Sequence, residues 1–188
     1  MKVFMIHGSY GSPYTHWTPW LKSELEKNKI SFIAPSFPTP ANQNYSAWSE
    51  LLNYYLKHNL ITEDTVFVAH SCGCICIARF IAEHNIKCRG LITVAGYNNF
   101  LEDDSPMRNL NITFYTDSNK LHTIKSNVLH RINFYGSNDP FIPKKYFEEF
   151  ADSIGAKSCI IENGGHLNSY SGFETFPKLL EEIMNCDK

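Results

Sequence analysis

The residues Val66-Phe67-Val68-Ala69-His70-Ser71-Cys72-Gly73 give the clearest structural signal in this chain. An apolar run, typical of a strand buried on both faces, leads to a serine and passes into residues 74–82, which are predicted to be helical. A strand-turn-helix of this kind holds its apical residue in a strained conformation and needs small residues two positions before and after it. Ala69 and Gly73 meet that need. The turn would lift the Ser71 hydroxyl above the sheet at a helix N-terminus, so Ser71 is a candidate nucleophile.

The same residues also fit a purely structural interpretation. A pentapeptide of the form small-x-Ser-x-Gly occurs by chance in many chains, and a serine at a strand-to-helix turn often only caps the helix. The motif is therefore a hypothesis that depends on whether the rest of the chain supplies partners for Ser71.

Length and composition indicate one domain over residues 1–188. Of the 188 residues, 43% are hydrophobic and 19% are charged, as in ordinary soluble enzymes. The formal net charge of −2 provides no basic surface for nucleic acid. No apolar run approaches the roughly 18 residues that a membrane span requires. The short apolar N-terminus is predicted to be a first strand and not a signal peptide.

The cysteines are predicted to be structural. They are Cys72, Cys74, Cys76, Cys88, Cys159 and Cys186. The first three occupy alternate positions of one predicted helix and so point in different directions, and their spacing matches no zinc pattern, so no metal site is expected. We expect the cysteines to behave as small buried hydrophobic residues, in a protein of the reducing cytoplasm. A redox or nucleophilic role for Cys72, beside the serine, is the alternative.

Predicted strands and helices alternate along the whole chain. The predicted strands cover residues 2–7, 30–35, 66–70, 89–96, 131–136 and 156–161. The predicted helices cover residues 15–25, 45–58, 74–82, 144–153 and 173–184. This alternation, without internal repeats, is typical of a three-layer α/β fold with a mainly parallel central sheet and helices on both faces.

The segment 97–130 has no clear periodicity. It contains several polar turns and only a weak helical pattern over residues 118–126. Segments of this length commonly form a lid or a wall of the substrate site. A loosely ordered surface excursion is the competing interpretation, and the segment is too short for a large cap domain.

A serine, an aspartate and a histidine each follow a predicted strand, namely Ser71, Asp139 and His166. Because ligand sites lie at the carboxyl ends of parallel strands, we expect these side chains to converge at one edge of the sheet. A serine needs a base within hydrogen-bond reach, and that base needs an acid to fix its tautomer. The pattern therefore predicts a catalytic triad in the chain order of α/β-hydrolases. Asp103 and Asp104, after the preceding strand, are the alternative acids.

Loops at the same edge supply the remaining candidates. The backbone N–H groups of Cys72 and of Ser9, in the turn after the first strand, are predicted to form an oxyanion hole, although that turn also fits a plain connection. Tyr10, Phe37 and His70 are predicted to contact the substrate because they lie in or beside these loops. The His70 ring is expected to point away from the serine hydroxyl.

Several motifs together resemble one known family. They are His7-Gly8, His16-Trp17-x-x-Trp20-Leu21, Val68-Ala69-His70-Ser71-Cys72-Gly73-Cys74, Ser137-Asn138-Asp139-Pro140-x-x-Pro143 and Gly164-Gly165-His166-x-Asn168. Over nearly the whole chain, this combination resembles the small serine hydrolases grouped with retinoblastoma-binding protein 9. The resemblance implies a compact α/β-hydrolase without a large cap domain or a cofactor, with a triad of Ser71, Asp139 and His166.

The chain departs from that family in three places. Ala69 stands where many α/β-hydrolases have glycine, a difference of one methyl group that we expect the turn to tolerate. The proline-rich loop at residues 36–40 matches only loosely. The sequence contains no Leu-x-Cys-x-Glu motif, after which the animal relative is named, so retinoblastoma binding is not implied.

These features predict a serine hydrolase that acts on a small-molecule carboxylic ester, amide or thioester through an acyl-enzyme at Ser71. Two alternatives remain open from the sequence. The first is a catalytically silent binding or interaction protein with the same fold. The second is a thioesterase, lyase or acyltransferase built on the same residues.

Overall fold

The computed structural model describes residues 1–101 and 106–187, and in this part of the chain the backbone forms six strands and seven α-helices. The strands are β1 (Lys2–Ile6), β2 (Ser31–Ile33), β3 (Thr65–His70), β4 (Cys88–Val94), β5 (Val128–Gly136) and β6 (Lys157–Ile161). The helices are α1 (Thr18–Lys27), α2 (Tyr45–Lys57), α3 (Cys72–Glu83), α4 (Pro106–Asn111), α5 (Ile124–Asn127), α6 (Lys144–Ile154) and α7 (Pro177–Asn185). Ser118–Thr123 and Ser169–Ser171 form 3₁₀ turns.

The described strands pair in one parallel sheet with the spatial order β2-β1-β3-β4-β5-β6. The direction of this order reverses between β1 and β3, so the carboxyl ends of these two strands flank a crevice. Their register pairs Ile6 with Ala69. The turn that follows β1 therefore lies beside the turn that follows β3.

Two hydrophobic clusters cover the two faces of the sheet. Along β1, Phe4 and Ile6 pack on the face covered by α2, α3 and α6, while Val3 and Met5 pack on the face covered by α1 and α7. The four side chains are almost completely buried, as expected for a parallel strand covered on both sides. The predicted three-layer α/β fold is confirmed.

The segment after β4 is more ordered than its sequence suggests. Helix α4 was not predicted, because one and a half turns are too short to show a helical period. The weak helical pattern corresponds to the 3₁₀ turn Ser118–Thr123 followed by α5. Phe114, Leu121 and Ile124 are fully buried in the cluster that contains α3. These three residues of the segment therefore form part of the core, and the interpretation as a loose excursion is wrong for them.

The six cysteines are free, and all except Cys159 are buried. Within residues 1–101 and 106–187, no group of three or more His, Cys, Asp and Glu side chains is arranged to hold a metal ion. In the same residues, no helix combines the length and the apolar character needed to cross a membrane.

Candidate active site

Ser71 lies at the turn between β3 and α3 in a strained backbone conformation. Its φ of 54° and ψ of −127° lie in a region that residues other than glycine rarely adopt. Its N–H donates to the carbonyl oxygen of Val94 at 2.8 Å, which extends the sheet up to the turn. A Cβ atom on Gly73 would lie 2.5 Å from the carbonyl oxygen of His7, so only glycine lets α3 pass this close to β1.

The side chains of Ser71, His166 and Asp139 form one hydrogen-bonded chain. The distance from Ser71 Oγ to His166 Nε2 is 3.0 Å, and the distance from His166 Nδ1 to Asp139 Oδ2 is 2.7 Å. A carboxylate only accepts, so Nδ1 carries the proton and Nε2 of the neutral ring accepts from the serine hydroxyl. Asp139 Oδ1 accepts from the backbone N–H groups of Phe141 and Ile142 at 2.9 and 3.1 Å. These bonds fix the carboxylate, whose side chain is 1% exposed.

The loops that carry the aspartate and the histidine are bound to each other. Asn138 Oδ1 accepts from the N–H of Gly165 at 2.8 Å, and Ser137 Oγ accepts from the N–H of Asn163 at 3.0 Å. A Cβ atom on Gly136 would collide with the backbone of Gly165, so a glycine at the end of β5 permits this approach. The spacing between the acid and the base is thus set by these side-chain-to-backbone hydrogen bonds and by the close backbone approach of two neighbouring strand ends.

Of the three candidate acids, Asp139 contacts His166. Asp103 and Asp104 lie outside the residues that the structure describes. The described geometry therefore supports Asp139 as the partner of the histidine.

The turn after β1 is held in a defined orientation beside the turn at Ser71. The carbonyl oxygen of Gly8 accepts from His7 Nδ1 at 2.8 Å and from the N–H of Gly11 at 3.1 Å. In a planar trans peptide, the N–H of Ser9 then points to the side opposite this oxygen. Cys72 is the first residue of α3, where backbone N–H groups have no acceptor within the helix. Both amides predicted for an oxyanion hole therefore lie at fixed backbone turns next to the serine.

A buried polar network fixes the side chain of Ser9. Its Oγ donates to Asn111 Oδ1 at 2.8 Å and accepts from Gln43 Nε2 at 2.7 Å. Gln43 Nε2 also donates to Asn111 Oδ1 at 2.7 Å, and Gln43 Oε1 accepts from Thr39 Oγ1. Thr39 Oγ1 in turn accepts from the N–H of Tyr10 at 2.7 Å. The amide of Tyr10 is thus engaged in the network, which leaves the amide of Ser9 as the donor from this turn.

Sequence reasoning did not identify Gln43 and Asn111. Gln43 follows the proline-rich loop and Asn111 ends α4, and each stands in a polar stretch that gives no local signal. Both are buried, and their importance comes from meeting at Ser9 in the folded chain.

The surroundings of the Cys72 side chain favour a packing role over that of a second nucleophile. Its side chain is fully buried, and burial raises the pKa of its thiol to about 11. Its Sγ lies 3.2 Å from the Oγ of Ser9. A thiol with this pKa carries little thiolate at neutral pH, which disfavours a nucleophilic role for this side chain.

A cavity of about 440 Å³ opens at Ser71. Of the residues predicted at the site, Ser9, Tyr10 and His70 line it together with Ser71 and His166. The size is within the range of small-molecule sites, which are usually concave and mostly apolar.

Phe37, which is predicted to contact the substrate, is not among the residues that line the cavity at Ser71. Phe37 is 2% exposed, and its ring packs against Trp48 with the ring centroids 4.7 Å apart. Its backbone N–H donates to His7 Nε2 at 2.9 Å. The ring is buried in the core beneath α2, where its apolar area is removed from water, and so it lies away from the cavity lining.

Two further histidines stand beside His166. The Nε2 of His70 donates to the carbonyl oxygen of His166 at 3.0 Å, and burial lowers the pKa of His70 well below its ordinary value. The Nδ1 of His16 accepts from the N–H of Ser169 at 3.3 Å, so its Nε2 carries the proton of the neutral ring. Burial, with the nearby charge of His166, lowers the pKa of His16 as well. Both rings line the cavity in the neutral form.

Comparison with known proteins agrees with this geometry. The family of serine hydrolases matches residues 3–185. The chain belongs to this serine hydrolase family. The family suggested by the sequence motifs is thereby confirmed.

The relatives of this serine hydrolase extend over almost its whole length. It is 29% identical to the hydrolase YdeN of Bacillus subtilis (strain 168) over 178 residues, which cover 94% of this chain and 90% of YdeN. It is 28% identical to the serine hydrolase RBBP9 of Rattus norvegicus over 171 residues, which cover 89% and 88% of the two chains.

Solved structures show the same architecture. The crystal structure of the B. subtilis YdeN protein superposes with a TM-score of 0.86 at 27% identity and covers 98% of this chain and 97% of that one. A YdeN-like hydrolase from Pectobacterium atrosepticum superposes with a TM-score of 0.72 at 18% identity, covering 98% and 89%. At that identity the second likeness concerns the fold alone.

Proposed function

We propose that this serine hydrolase is a carboxylesterase-like enzyme that forms an acyl-enzyme at Ser71. The observation that carries the proposal is the hydrogen-bonded chain in which Ser71 Oγ lies 3.0 Å from His166 Nε2 and His166 Nδ1 lies 2.7 Å from Asp139 Oδ2. A nucleophile, a base and an orienting acid in contact are the combination that acyl transfer requires.

In the acylation step, Ser71 Oγ attacks the ester carbonyl carbon while its proton moves to His166 Nε2. The carbonyl oxygen becomes an oxyanion, which the N–H groups of Cys72 and Ser9 stabilise at the N-terminus of α3. The bond to the leaving oxygen then breaks, and His166 returns its proton to that oxygen. Asp139 stabilises the imidazolium that exists between these two transfers.

In the deacylation step, water takes the place of the departed alcohol. His166 removes one proton from the water, whose oxygen attacks the acyl carbon and forms a second oxyanion. The acyl bond to Ser71 breaks, and the proton on His166 Nε2 returns to the serine oxygen. The products are one carboxylic acid and one alcohol, and the enzyme recovers its starting state.

The family and its relatives support hydrolysis, and the choice of an ester bond is our own inference. An oxygen ester needs no further activation of its leaving group beyond the proton that His166 supplies. We also propose a cytoplasmic location, which the six free cysteines support because a reducing compartment preserves thiols.

The decisive experiment combines a fluorophosphonate probe with the hydrolysis of p-nitrophenyl acetate. We expect the wild-type protein to be labelled and active, and Ser71→Ala to lose both properties while its circular dichroism is unchanged. Ser126→Ala, an exposed serine at the other end of the sheet, is the matched control and should retain both. If the folded wild-type protein is neither labelled nor active, the chain is a catalytically silent binding protein.

A second measurement separates ester from thioester chemistry. Phenyl acetate and its thiophenyl counterpart are compared with and without an added alcohol acceptor. We expect the oxygen ester to be hydrolysed with a kcat/KM at least equal to that of the thioester, and water to be the main acceptor. A strong preference for the thioester or for transfer to the alcohol would contradict the proposal.

A further inference from the structure

The short turn after His166 fixes the orientation of two polar side chains. The N–H of Ser169 donates to His16 Nδ1 at 3.3 Å, and the N–H of Ser171 donates to Asn168 Oδ1 at 3.2 Å. In each case a backbone N–H occupies the acceptor atom of the side chain. The proton of the neutral His16 ring is therefore on Nε2, and the free branch of the Asn168 amide is its Nδ2 group.

Both side chains thus offer a donor group, and both residues line the cavity at Ser71. Asn168 is 7% exposed. Within residues 1–101 and 106–187, neither His16 Nε2 nor Asn168 Nδ2 has a hydrogen-bond acceptor. Polar groups of this kind in a cavity are usually satisfied by water or by a ligand, whose orientation they then fix.

The position of His16 is fixed through both of its neighbours in the chain. The preceding Thr15 closes a turn through its Oγ1, which accepts from the N–H of Ser12 at 3.1 Å. The indole N–H of the following Trp17, whose ring is buried, donates to the carbonyl oxygen of Leu167 at 3.0 Å. His16 itself has a φ of 56°, which residues other than glycine adopt at a cost. The ring is thus held at the cavity by contacts that the reaction proposed above does not use.

The two donors lie on the same side of the nucleophile as His166. Asn168 follows His166 by two residues, and His16 is bonded to the turn that Asn168 caps. The centroid of the His70 ring lies 5.1 Å from that of His166 and 5.6 Å from that of His16. In the proposed acylation step, the leaving oxygen takes its proton from His166 Nε2. The alcohol part of the ester must therefore lie on this side of the nucleophile.

We propose that His16 and Asn168 bind the alcohol part of the ester and select an alcohol that carries a further oxygen atom near the ester bond, as esters of glycols and other polyols do. An ether or hydroxyl oxygen at that place accepts hydrogen bonds from His16 Nε2 and Asn168 Nδ2. The inference rests on the proposed function of Ser71 and adds the chemical class of the leaving alcohol.

The test compares 2-methoxyethyl acetate with n-butyl acetate, two esters of equal size in which one oxygen atom replaces one methylene group. Hydrolysis is followed by titration of the released acid at constant pH. We expect the methoxyethyl-to-butyl ratio of kcat/KM to exceed the ratio for hydrolysis by hydroxide by at least about threefold, as a gained neutral hydrogen bond implies. A smaller excess would overturn the proposal, and so would a failure to hydrolyse 2-methoxyethyl acetate by an enzyme that hydrolyses p-nitrophenyl acetate.

Two substitutions remove one donor each. His16→Phe keeps an aromatic ring, and Asn168→Asp keeps the acceptor for the Ser171 N–H but replaces the donor group with an oxygen. We expect the methoxyethyl-to-butyl ratio to fall by at least about threefold in each variant. Both esters are measured on the same sample, so partial unfolding of a variant does not change the ratio. An unchanged ratio in either variant would overturn the assignment of that donor.

His84→Phe is the matched control for the histidine. His84 is exposed and follows the end of α3 that is remote from Ser71, so this variant should keep the wild-type ratio.

A reversed pair of esters tests which part of the substrate the donors contact. Methyl 3-methoxypropanoate and methyl pentanoate carry the same replacement of methylene by oxygen in the acyl part. Their ratio of kcat/KM should differ by less than about twofold between wild type and His16→Phe. A fall in this ratio, with no fall in the first, would place His16 on the acyl side and overturn the proposal.

Hydrolysis of p-nitrophenyl acetate separates this proposal from the proposed function. If wild type hydrolyses it through Ser71 but shows no preference for the methoxyethyl ester, the proposal for the alcohol part fails and the proposed function stands. If the folded protein hydrolyses none of these esters, both fail.

Discussion

The two sides of Ser71 are built in different ways. On the acid-base side, Asp139 and His166 come from the ends of neighbouring strands, and their loops are joined by hydrogen bonds from backbone N–H groups of one loop to side chains of the other. On the oxyanion side, Ser9 is held by Gln43 and Asn111, side chains from segments far apart in the sequence.

The two sides of Ser71 have different tasks in the proposed reaction. The acid-base side must keep the side chains of Ser71, His166 and Asp139 within hydrogen-bond distance. Two adjacent strand ends achieve this because their relative position is fixed by the sheet. The oxyanion side must orient a single amide in the turn after β1, and it does so with buried side-chain amides that the core keeps away from water. The two sides should therefore respond differently to substitution, in catalysis and in stability.

The largest effect is expected on the acid-base side. Asp139→Asn keeps the shape of the side chain but favours the wrong tautomer of His166, so kcat should fall by about 10⁴. The measurement is steady-state hydrolysis of p-nitrophenyl acetate with unfolding by urea in parallel. A variant that retains more than a tenth of the wild-type kcat would show that another acid serves the histidine, with Asp103 and Asp104 the first to test.

A smaller effect is expected on the oxyanion side. Asn111→Leu removes the acceptor of the Ser9 hydroxyl while filling a similar volume, so the turn loses its fixed orientation. Because a complete loss of one oxyanion donor costs about 10²–10³ in kcat, a misplaced donor should cost about 10–100-fold with little change in KM.

Asn127→Leu provides the matched control for this comparison. Asn127 is also buried and donates to Asn85 Oδ1 at 2.8 Å, but it lies at the opposite end of the sheet. Both variants should lose stability, whereas only Asn111→Leu should lose kcat. Equal losses of kcat in the two variants would mean that the network at Ser9 acts through stability alone.

The smallest effect concerns two buried histidines, one on each side of Ser71. His70 donates to the carbonyl oxygen of His166, and His7 fixes the Gly8 carbonyl beside Ser9. Burial lowers the pKa of both below the ordinary value of 6.5. Below that pH the unfolded chain therefore binds more protons than the folded protein. The contribution of these histidines to the free energy of unfolding is present above about pH 6.5 and is lost as the pH falls further.

Each such histidine contributes a slope of at most about 1.4 kcal/mol per pH unit to the free energy of unfolding. His70→Gln can still donate to the carbonyl oxygen but does not titrate, so it should flatten the loss of stability between pH 6.5 and 5. Urea unfolding at several pH values measures this slope. An unchanged slope would show that folding does not lower the pKa of His70.

Local sequence patterns predict much of the fold. The apolar runs of β1 and β3, the small residues around Ser71 and the strict alternation of elements predict a parallel sheet covered on both faces, and the structure has that sheet. Helix α4 and the 3₁₀ turn at Ser118–Thr123 were missed or only weakly indicated, because such short elements carry no periodicity and depend on packing against α3.

The sequence alone predicts the candidate triad because each member follows the end of a strand within five residues, and parallel strands bring their carboxyl ends to one edge. The misplaced Phe37 shows the limit of that argument: a loop position indicates closeness to the edge, but the direction of a side chain depends on which apolar surface it can cover. The roles of Gln43 and Asn111 follow the same physics. Backbone order places strand ends, whereas the contacts of side chains from distant segments exist only once the core has closed around them.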